Sequence, residues 1–475
     1  MATMTDIPAN HLELFKTIGK AADAIGQDVF VVGGYVRDHY LNKNVTDLTD
    51  IDFVTIGSGI RLAEETAALL KTKKISLFKQ FGTAQVKYKH LDLEFVGARK
   101  ESYRRDSRKP VVEDGSLEDD QLRRDLTINA LSWSLNPDSF GLLHDPFNGI
   151  QDLLERRIKT PIDPLKTFDD DPLRMMRAVR FAAQLKFSIE EETLSAIETM
   201  APRLTIISRE RIVDELNKII LTDEPSYGFT LLLQTGLLKK FFPEMTALLG
   251  VDEKMGQRHK DNFWHTLEVL DNTARVTNDL WLRWAAIMHD IAKPPTKRFV
   301  HGIGWTFHGH DALGAKWVPR IFKRMGLPMD ERMKRVQKLV RLHLRPIALV
   351  ADEVSDSAIR RLLFEAGDEI EDLMILCRAD ITSKNEWKVK RFQNNFDRVE
   401  NRIREVEEKD KIRNWKNPVS GDEIMAALQC KPGPVVGQVK ERIKNAIFDG
   451  DISNTHEEAY HYLLQIRKDY TPTKT

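Results

Sequence analysis

The sequence predicts an α+β protein, in which a mixed α/β region reaching to about residue 160 precedes a much longer helical region. Apolar runs typical of strands alternate with amphipathic helical patterns in the first part, whereas apolar residues recur at helical spacing from about residue 165 onward. The strand signals fall at 29–32, 51–56, 84–88 and 91–96, and the early helical signals at 11–25 and 60–71.

Composition places the chain among soluble globular proteins. Its 475 residues are enough for about two to four domains, and 41% are hydrophobic and 30% charged. The formal net charge is zero, so a polyanionic partner would have to be bound by local basic patches. Two cysteines form no disulfide framework and fit a reducing compartment. Without an expected signal peptide or bilayer-spanning segment, we predict a cytoplasmic protein with no membrane partner.

A pair of aspartates lies on the second predicted strand, in DIDFVT (50–55). Because side chains alternate along a strand, Asp50 and Asp52 point to the same face. Adjacent carboxylates repel unless a cation lies between them, and Mg²⁺ prefers carboxylates together with substrate phosphates. Two-metal transfer of a nucleotidyl group needs this arrangement. Glu94, in LDLEFVGAR, is the candidate third carboxylate, although Asp92 shares its face.

The residues before this pair favour a phosphate site over a solvated strand end. Gly33 and Gly34 follow the first predicted strand and would allow the backbone to approach a triphosphate closely. Arg37, a few residues later, can bind phosphates through both arms of its guanidinium group.

Four segments together resemble the class II tRNA nucleotidyltransferases of the polymerase-β-like superfamily. This family comprises CCA-adding, CC-adding and A-adding enzymes and bacterial poly(A) polymerases. One departure is Asp170, where the family usually has glutamate, and it keeps the charge. The matching segments, in the family's order, are GGYVRD…DIDFVT (33–55), GSLEDDQLRRDLTINALSW (115–133), DDPLRMMRAVRFAAQLKFSI (170–189) and SRERIVDELNKIIL (208–221).

The resemblance implies Mg²⁺-dependent nucleotidyl transfer at Asp50, Asp52 and Glu94, with the tRNA 3′ end, CTP and ATP as partners. It also implies that Asp171 and Arg174, three apart on a predicted helix, select the base through its Watson–Crick edge. The basic segment 99–110 is predicted to be a surface loop, with contact to nucleic acid left open. The implied nucleotide-binding residues are Gly33, Gly34, Arg37, Arg124, Asp125, Asn129, Asp171, Arg174, Arg177 and Arg180.

A second constellation of histidines and aspartates lies in the helical region. Imidazole and carboxylate together suit a divalent transition metal, and a His-Asp pair at the end of an apolar helix needs partners. The order of these residues resembles the HD phosphohydrolase superfamily, whose complete form holds two metals. The residues are His265, His289, Asp290, His310, His343 and Asp380.

We therefore expect a polymerase-β-like head over residues 1–160, a helical neck over 161–250, an HD body over 251–385 and a tRNA-binding tail over 386–475. The predicted function is CCA addition, with an HD domain that hydrolyses phosphate esters. CC addition, A addition and poly(A) synthesis remain open, although segment 57–86 lacks the basic, phenylalanine-containing stretch of the poly(A) enzymes. HD hydrolysis as the main activity and a non-catalytic RNA-binding module are the rivals from other classes, and the oligomeric state stays undetermined.

Overall fold

The computed structural model describes residues 4–104, 107–351, 355–382 and 385–470. The chain forms two compact units, the first ending at Pro243 and the second beginning at Glu244. Among the described residues, no helix combines the length and the apolar character needed to cross a membrane.

Helices dominate both units, and we number them in chain order. Those that begin in the first unit are α1 (Ala9–Ala24), α2 (Gly34–Tyr40), α3 (Gly59–Leu69), α4 (Leu117–Leu122), α5 (Gly149–Leu154), α6 (Pro164–Asp170), α7 (Leu173–Leu185), α8 (Glu191–Met200), α9 (Arg209–Ile220), α10 (Pro225–Gln234), α11 (Leu237–Phe241) and α12 (Pro243–Thr246). Those of the second unit are α13 (Asn262–Ala274), α14 (Leu280–Met288), α15 (Lys293–Thr296), α16 (His310–Met325), α17 (Glu331–Leu342), α18 (Leu344–Ala351), α19 (Asp356–Ala366), α20 (Ile370–Ala379), α21 (Glu386–Asp410), α22 (Gly421–Leu428), α23 (Pro434–Asp449) and α24 (His456–Ile466).

The strands lie mostly in the first unit. They are β1 (Asp28–Val32), β2 (Asp50–Ile56), β3 (Ile75–Phe78), β4 (Thr83–Tyr88), β5 (Leu91–Gly97), β6 (Arg99–Arg104), β7 (Ser107–Asp114), β8 (Ser132–Ser134), β9 (Leu143–His144), β10 (Arg157–Ile158) and β11 (Ser188–Ile189). The second unit adds β12 (Glu253–Lys254), β13 (Gln257–Arg258), β14 (Arg298–Val300) and β15 (Gly304–Thr306).

One seven-stranded sheet organises the first unit, in the order β3-β4-β5-β2-β1-β8-β9. Only the β2–β5 pair within it is parallel. Aromatic side chains fill one side of its centre: Phe53 stacks on Phe95 at 5.0 Å, and Phe15 of α1 meets Phe53 edge-on at 5.8 Å. Because side chains alternate, burying Phe53 on this side turns Asp50 and Asp52 to the opposite face.

The predicted strands and early helices are confirmed, each boundary lying within two residues of its expected position. The α+β fold class, with a sheet-containing head and a helical body, is confirmed as well. The prediction of a loop over 99–110 is wrong, because β6 and β7 pair there as an antiparallel hairpin. Strand β3 at the sheet edge went unpredicted.

In the described residues of the second unit, the strands form two short hairpins, β12–β13 and β14–β15, which helical periodicity did not predict. Strands of two or three residues are too short to establish a period of two. The four-domain division at about residues 160, 250 and 385 stays a prediction.

Candidate active sites

Three carboxylates of the sheet face lie in neighbouring positions. Parallel pairing of β2 with β5 sets Asp52 beside Glu94 and Asp50 beside Asp92. Of the two β5 carboxylates, Glu94 lines the same cavity as the aspartate pair. Asp92 instead lies 3.4 Å from Lys87. The structure thus brings Glu94 to the predicted site.

The electrostatics of this trio fit a bound cation. Burial raises the pKa of Asp52, and the Asp50 carboxylate adds to the rise while Arg124 opposes it. Burial, followed by Asp52 and Asp50, raises the pKa of Glu94. The three side chains therefore repel as anions, and a hard divalent cation such as Mg²⁺ favours an all-oxygen donor set of this kind.

A cavity of about 820 Å³ adjoins the trio and is lined by basic side chains as well as acidic ones. Eight basic residues against five carboxylates favour a polyanionic ligand. The basic residues are Arg37, Arg123, Arg124, Arg174, Arg177, Arg180, Arg211 and Lys218, and the carboxylates are Asp50, Asp52, Glu94, Asp125 and Asp171.

The glycine pair has one position that requires glycine. Gly33 has φ +69°, and a Cβ atom there would lie 3.1 Å from Arg124 Nη1. Gly34 has ordinary backbone angles as the first residue of α2, and a Cβ would meet Arg37 Nη2 only at 3.7 Å. Gly33 therefore allows the close approach of Arg124 to the turn after β1.

The Arg37 guanidinium group, which lines the cavity, is held by hydrogen bonds within the protein, and its binding of phosphates stays a prediction. Its Nε and Nη2 donate to the two carboxylate oxygens of Asp38, each at 2.9 Å, and its Nη1 donates to Asn129 Oδ1 at 2.7 Å. Asn129 Nδ2 in turn donates to Asp125 Oδ1 at 3.1 Å. Arg37 and Asn129 thus hold the cavity wall together.

Asp125 and Arg124 are also held by charged neighbours. Asp125 Oδ2 accepts a hydrogen bond from Arg177 Nε at 2.6 Å. Burial alone would raise the pKa of Asp125, but Arg177 and the Asn129 amide lower it to about 2. Arg124 donates to the buried Asp120 Oδ2 through Nε at 3.0 Å and Nη2 at 2.9 Å. Both residues line the cavity in fixed positions.

Asp171 lies just before the predicted selection helix rather than on it. Helix α7 begins at Leu173, and Asp171 is extended (φ −142°, ψ 101°) because a following proline disfavours helical angles. Its Oδ1 accepts from the Leu173 amide at 3.1 Å, and its Oδ2 accepts from Arg211 Nη2 at 3.2 Å. Arg174, by contrast, makes no side-chain hydrogen bond or ion pair within the described residues.

The other two arginines of α7 pack on a shared ring. The Arg180 guanidinium lies 3.9 Å and that of Arg177 5.6 Å from the centroid of Phe181. Arg180 Nε is 2.5 Å from Glu215 on α9. Sequence reasoning missed Phe181, Arg211 and Glu215, although all three lie within the recognised motifs at 170–189 and 208–221.

The six predicted metal ligands of the second unit converge on one centre. His265 Nε2 lies 2.9 Å from Asp380 Oδ1 and 3.5 Å from Asp290 Oδ2, and His289 Nε2 lies 3.1 Å from that same Asp290 oxygen. Asp290 Oδ1 faces the other way, at 3.2 Å from His310 Nε2 and 3.9 Å from His343 Nε2. Asp290 therefore belongs to two adjoining ligand groups.

The histidine tautomers fit metal ions in these groups. The Nδ1 atoms of His289, His310 and His343 lie 2.6–2.7 Å from backbone carbonyls, which can only accept, so Nδ1 carries the hydrogen. The Nε2 lone pairs of His310 and His343 then face each other at 3.3 Å. Burial lowers the pKa of His343 to about 4, and two Nε2 lone pairs that face each other at this spacing suit a divalent cation between them.

His265 differs from the other three histidines in the partners of its Nδ1 atom, which are side chains rather than a backbone carbonyl. Its Nδ1 lies 2.9 Å from Thr382 Oγ1 and 3.3 Å from Lys260 Nζ. Lys293 Nζ approaches the centre from another side, at 2.5 Å from Asp290 Oδ2. Neither lysine was a predicted site residue.

Comparison with known proteins identifies the family of the chain. Family models match the chain as "Poly A polymerase head domain" over residues 29–159, "Probable RNA and SrmB-binding site of polymerase A" over 186–249 and "HD domain" over 262–385. A CC-adding tRNA nucleotidyltransferase of Thermus thermophilus is 31% identical over 463 residues, covering 93% of this chain and 94% of that relative. The chain belongs to the tRNA nucleotidyltransferase family.

A further relative and two solved structures are also similar to the chain. An A-adding tRNA nucleotidyltransferase of Deinococcus radiodurans is 33% identical, covering 72% of this chain and 78% of that relative. The fold agrees with a solved CCA-adding enzyme in its apo form, with a TM-score of 0.65 and 24% identity over 97% of this chain and 95% of the other. It also agrees with the Thermotoga maritima CCA-adding enzyme solved with tRNA, with a TM-score of 0.60 and 22% identity.

Proposed function

We propose that the protein adds CCA to the 3′ ends of tRNA, taking CTP and ATP into the cavity of the first unit. The observation that supports this most strongly is one cavity that joins the Asp50, Asp52 and Glu94 trio to Asp171 and Arg174. A transferase without a nucleic-acid template requires carboxylates that can bind metal and, in the same cavity, a donor and an acceptor that can read the base.

In the proposed step, the oxygen of the RNA 3′-hydroxyl forms a bond to the α-phosphorus of the incoming nucleotide. The bond from that phosphorus to the bridging oxygen breaks, pyrophosphate leaves, and the hydroxyl proton is released to solvent. Mg²⁺ held by Asp50, Asp52 and Glu94 would supply charge neutralisation at the reacting phosphate. Arg124 is positioned by Asp120 and Gly33 to face the triphosphate.

Base selection is assigned to Arg174 and Asp171. The Arg174 guanidinium is buried in the cavity wall and makes no side-chain hydrogen bond within the described residues, so its donors are available to a cytosine or adenine edge. Arg211 fixes the Asp171 carboxylate, which leaves acceptor capacity for a base amino group. An arginine donor and an aspartate acceptor suit the edges of both C and A.

The open sheet face beyond Glu94 offers a place for the RNA primer. Antiparallel pairing sets Gln85 on β4 beside Glu94, and Ser76 on β3 beside Gln85, so these three residues form a row across the sheet. Phe78, two residues after Ser76 on the edge strand β3, is 47% exposed. Exposed ring surface next to polar groups suits a single-stranded RNA end.

The test is addition to tRNA primers that end before the first C, after one C or after both, each with one labelled nucleotide. Full CCA addition predicts that CTP extends the first two primers and ATP the third. The similarity to a CC-adding relative makes CC addition the second candidate. That candidate is favoured if ATP is never incorporated, and both are rejected if no primer is extended.

Arg174→Ala is expected to relax the preference for C and A over U and G. Each lost hydrogen-bonding pair reduces discrimination by about 1–3 kcal/mol, or roughly 5- to 150-fold. Competition between labelled nucleotides on one primer gives the ratio of incorporation efficiencies. Arg209→Ala, an exposed arginine outside the cavity, is the control and should keep the wild-type ratio. Unchanged preference in the Arg174 variant would show that base choice lies elsewhere.

We further propose that the second unit hydrolyses phosphate esters with two divalent transition metals. The first would be held by His265, His289, Asp290 and Asp380, and the second by Asp290, His310 and His343. The metals would supply an activated water at neutral pH. In this hydrolysis the water oxygen bonds to phosphorus, the bond to the ester oxygen breaks, and that oxygen takes up a proton.

A further inference from the structure

Two hairpins of the second unit pack against each other as one layer. Trp305 Nε1 on β15 donates to the Gln257 carbonyl oxygen on β13 at 3.1 Å. Gly304 has φ +99°, and a Cβ atom there would collide with the Gln257 side chain. The His259 ring lies 5.5 Å from the Trp305 ring and 5.8 Å from the Phe307 ring. We call residues 253–259 and 298–307 the hairpin platform.

The hairpin platform adjoins the opening of the metal centre. The Phe307 carbonyl accepts from His310 Nδ1 at 2.6 Å. Lys293 Nζ lies 2.5 Å from Asp290 Oδ2 and 5.5 Å from the Phe307 ring centroid. The side chains of Lys293 and Asp380 are 19% and 18% exposed, and every other group of the centre is below 10%. Solvent therefore reaches the centre at Lys293, beside Phe307, and at Asp380.

Rings and positive charges alternate on this layer. Lys254 Nζ lies 5.1 Å from the Phe299 ring centroid, and Lys297 Nζ lies 5.6 Å from that of Trp305. The hairpin platform contains three basic residues, Lys254, Arg258 and Arg298, and one acidic residue, Glu253, which pairs with Arg258. Lys297, next to the platform, pairs with Asp252. Aromatic faces interleaved with cations bind single-stranded nucleic acid by base stacking and phosphate contact.

We propose that the hairpin platform recognises the single-stranded 3′ end of an RNA and presents its terminal phosphate to the metal centre. This rests on the proposed hydrolysis of phosphate esters. The metal centre and Lys293 are enough to bind a single terminal phosphate. The additional basic side chains of the hairpin platform would contact phosphates only if the ligand has more of them along its chain. Lys254 and Arg298, both exposed, form no ion pair with a carboxylate in the described part of the chain. An RNA end therefore fits better than a free mononucleotide.

The ring contribution is tested with Trp305→Leu and Trp305→Phe in the full-length protein. We measure kcat/KM on a short single-stranded RNA ending in a 2′,3′-cyclic phosphate and on glycerophosphate, which has no base. Stacking of one base on a ring contributes about 1–3 kcal/mol. We therefore expect kcat/KM on RNA, divided by kcat/KM on glycerophosphate, to fall roughly 5- to 150-fold in Trp305→Leu. Trp305→Phe, which keeps a ring, should restore most of it. Trp317→Leu, a partly exposed tryptophan of α16 outside the hairpin platform, is the control and should leave the ratio unchanged.

The charge contribution is tested by binding, without turnover. Fluorescence anisotropy of the same RNA with a 3′-monophosphate is followed against salt, with saturating CTP present to occupy the cavity of the first unit. Each phosphate contact on a single strand contributes about 0.7 to the slope of log K against log salt, so Lys254→Gln with Arg298→Gln should reduce the slope by about 1.4.

The results separate the two proposals. If the wild-type protein hydrolyses neither substrate, the phosphohydrolase assignment fails, and the anisotropy slope still tests the hairpin platform. An unchanged slope overturns the proposal. So does an equal fall on RNA and glycerophosphate in Trp305→Leu, which would indicate a structural role alone. A mononucleotide 2′,3′-cyclic phosphate hydrolysed as efficiently as the RNA would also overturn it, in favour of a nucleotide substrate.

Discussion

Asp52→Ala is expected to abolish nucleotide addition, lowering the rate by at least about 10³-fold, because stabilisation by the bound metals is worth several kcal/mol at the transition state. Asp52 lies between Asp50 on its own strand and Glu94 on the neighbouring one, so its removal leaves a gap in the middle of the oxygen donors. The measurement is single-turnover extension of a tRNA primer lacking its 3′ end, at saturating CTP.

The fold of this variant should persist. Burial raises the pKa of Asp52, which means that its charged form is unfavourable in the folded state without a cation. Removing the carboxylate therefore relieves repulsion, and thermal unfolding should show no loss of stability. Asp92→Asn is the matched control, since Asp92 lies on the same sheet face beside Asp50 but does not line the cavity. Wild-type addition by Asp52→Ala would reject the site.

The sequence could predict those features of the carboxylate site that depend on the spacing of residues along one strand. The shared face of Asp50 and Asp52 follows from alternation along one strand, and the structure keeps it. The choice of Glu94 over Asp92 depends on parallel register and on the cavity, neither of which a single sequence reveals. Lys87 on β4 forms an ion pair with Asp92 on β5, and this contact exists only once the two strands have paired.

Ion pairs that position the predicted residues were the main omission. Asp38 follows Arg37 directly and takes two of its donors, and Asp120 lies four residues before Arg124 on a helical turn. Both spacings are visible in the sequence, but nothing there tells a structural pair from a solvated one. The position of Asp171 could have been read from Pro172, because proline restricts the residue before it.

In the histidine centre, too, the sequence predicted the residues but not how they are arranged. Its six members were identified in order along the chain, and the structure brings them together from five separate segments. The bridging position of Asp290 depends on the packing of α14, α16 and α17, so sequence order alone did not reveal it. The flanking hairpins escaped prediction because their strands are only two or three residues long.

Asp290→Ala is expected to remove both metals and all phosphohydrolase activity, while His343→Ala should remove only the second metal. Asp290 Oδ2 faces His265 and His289, and Oδ1 faces His310 and His343, so this one carboxylate serves both groups. His343 belongs to one group alone. Metal content per chain, measured by mass spectrometry after purification, should fall by two equivalents in the first variant and by one in the second.

Nucleotide addition should survive in the variant that loses both metals. The six ligands all follow Glu244 in the chain, whereas every residue lining the nucleotide cavity precedes Pro243. His289→Ala with Asp290→Ala should therefore abolish hydrolysis and spare addition, and Asp50→Ala with Asp52→Ala should do the reverse. His90→Ala, an exposed histidine between β4 and β5 that neither lines the cavity nor belongs to the metal-ligand groups, should retain both activities and both metals. A wild-type protein that binds no metal in its second unit and hydrolyses no phosphate ester would identify that unit as a helical scaffold, since the inward-facing imidazoles would then have no chemical role.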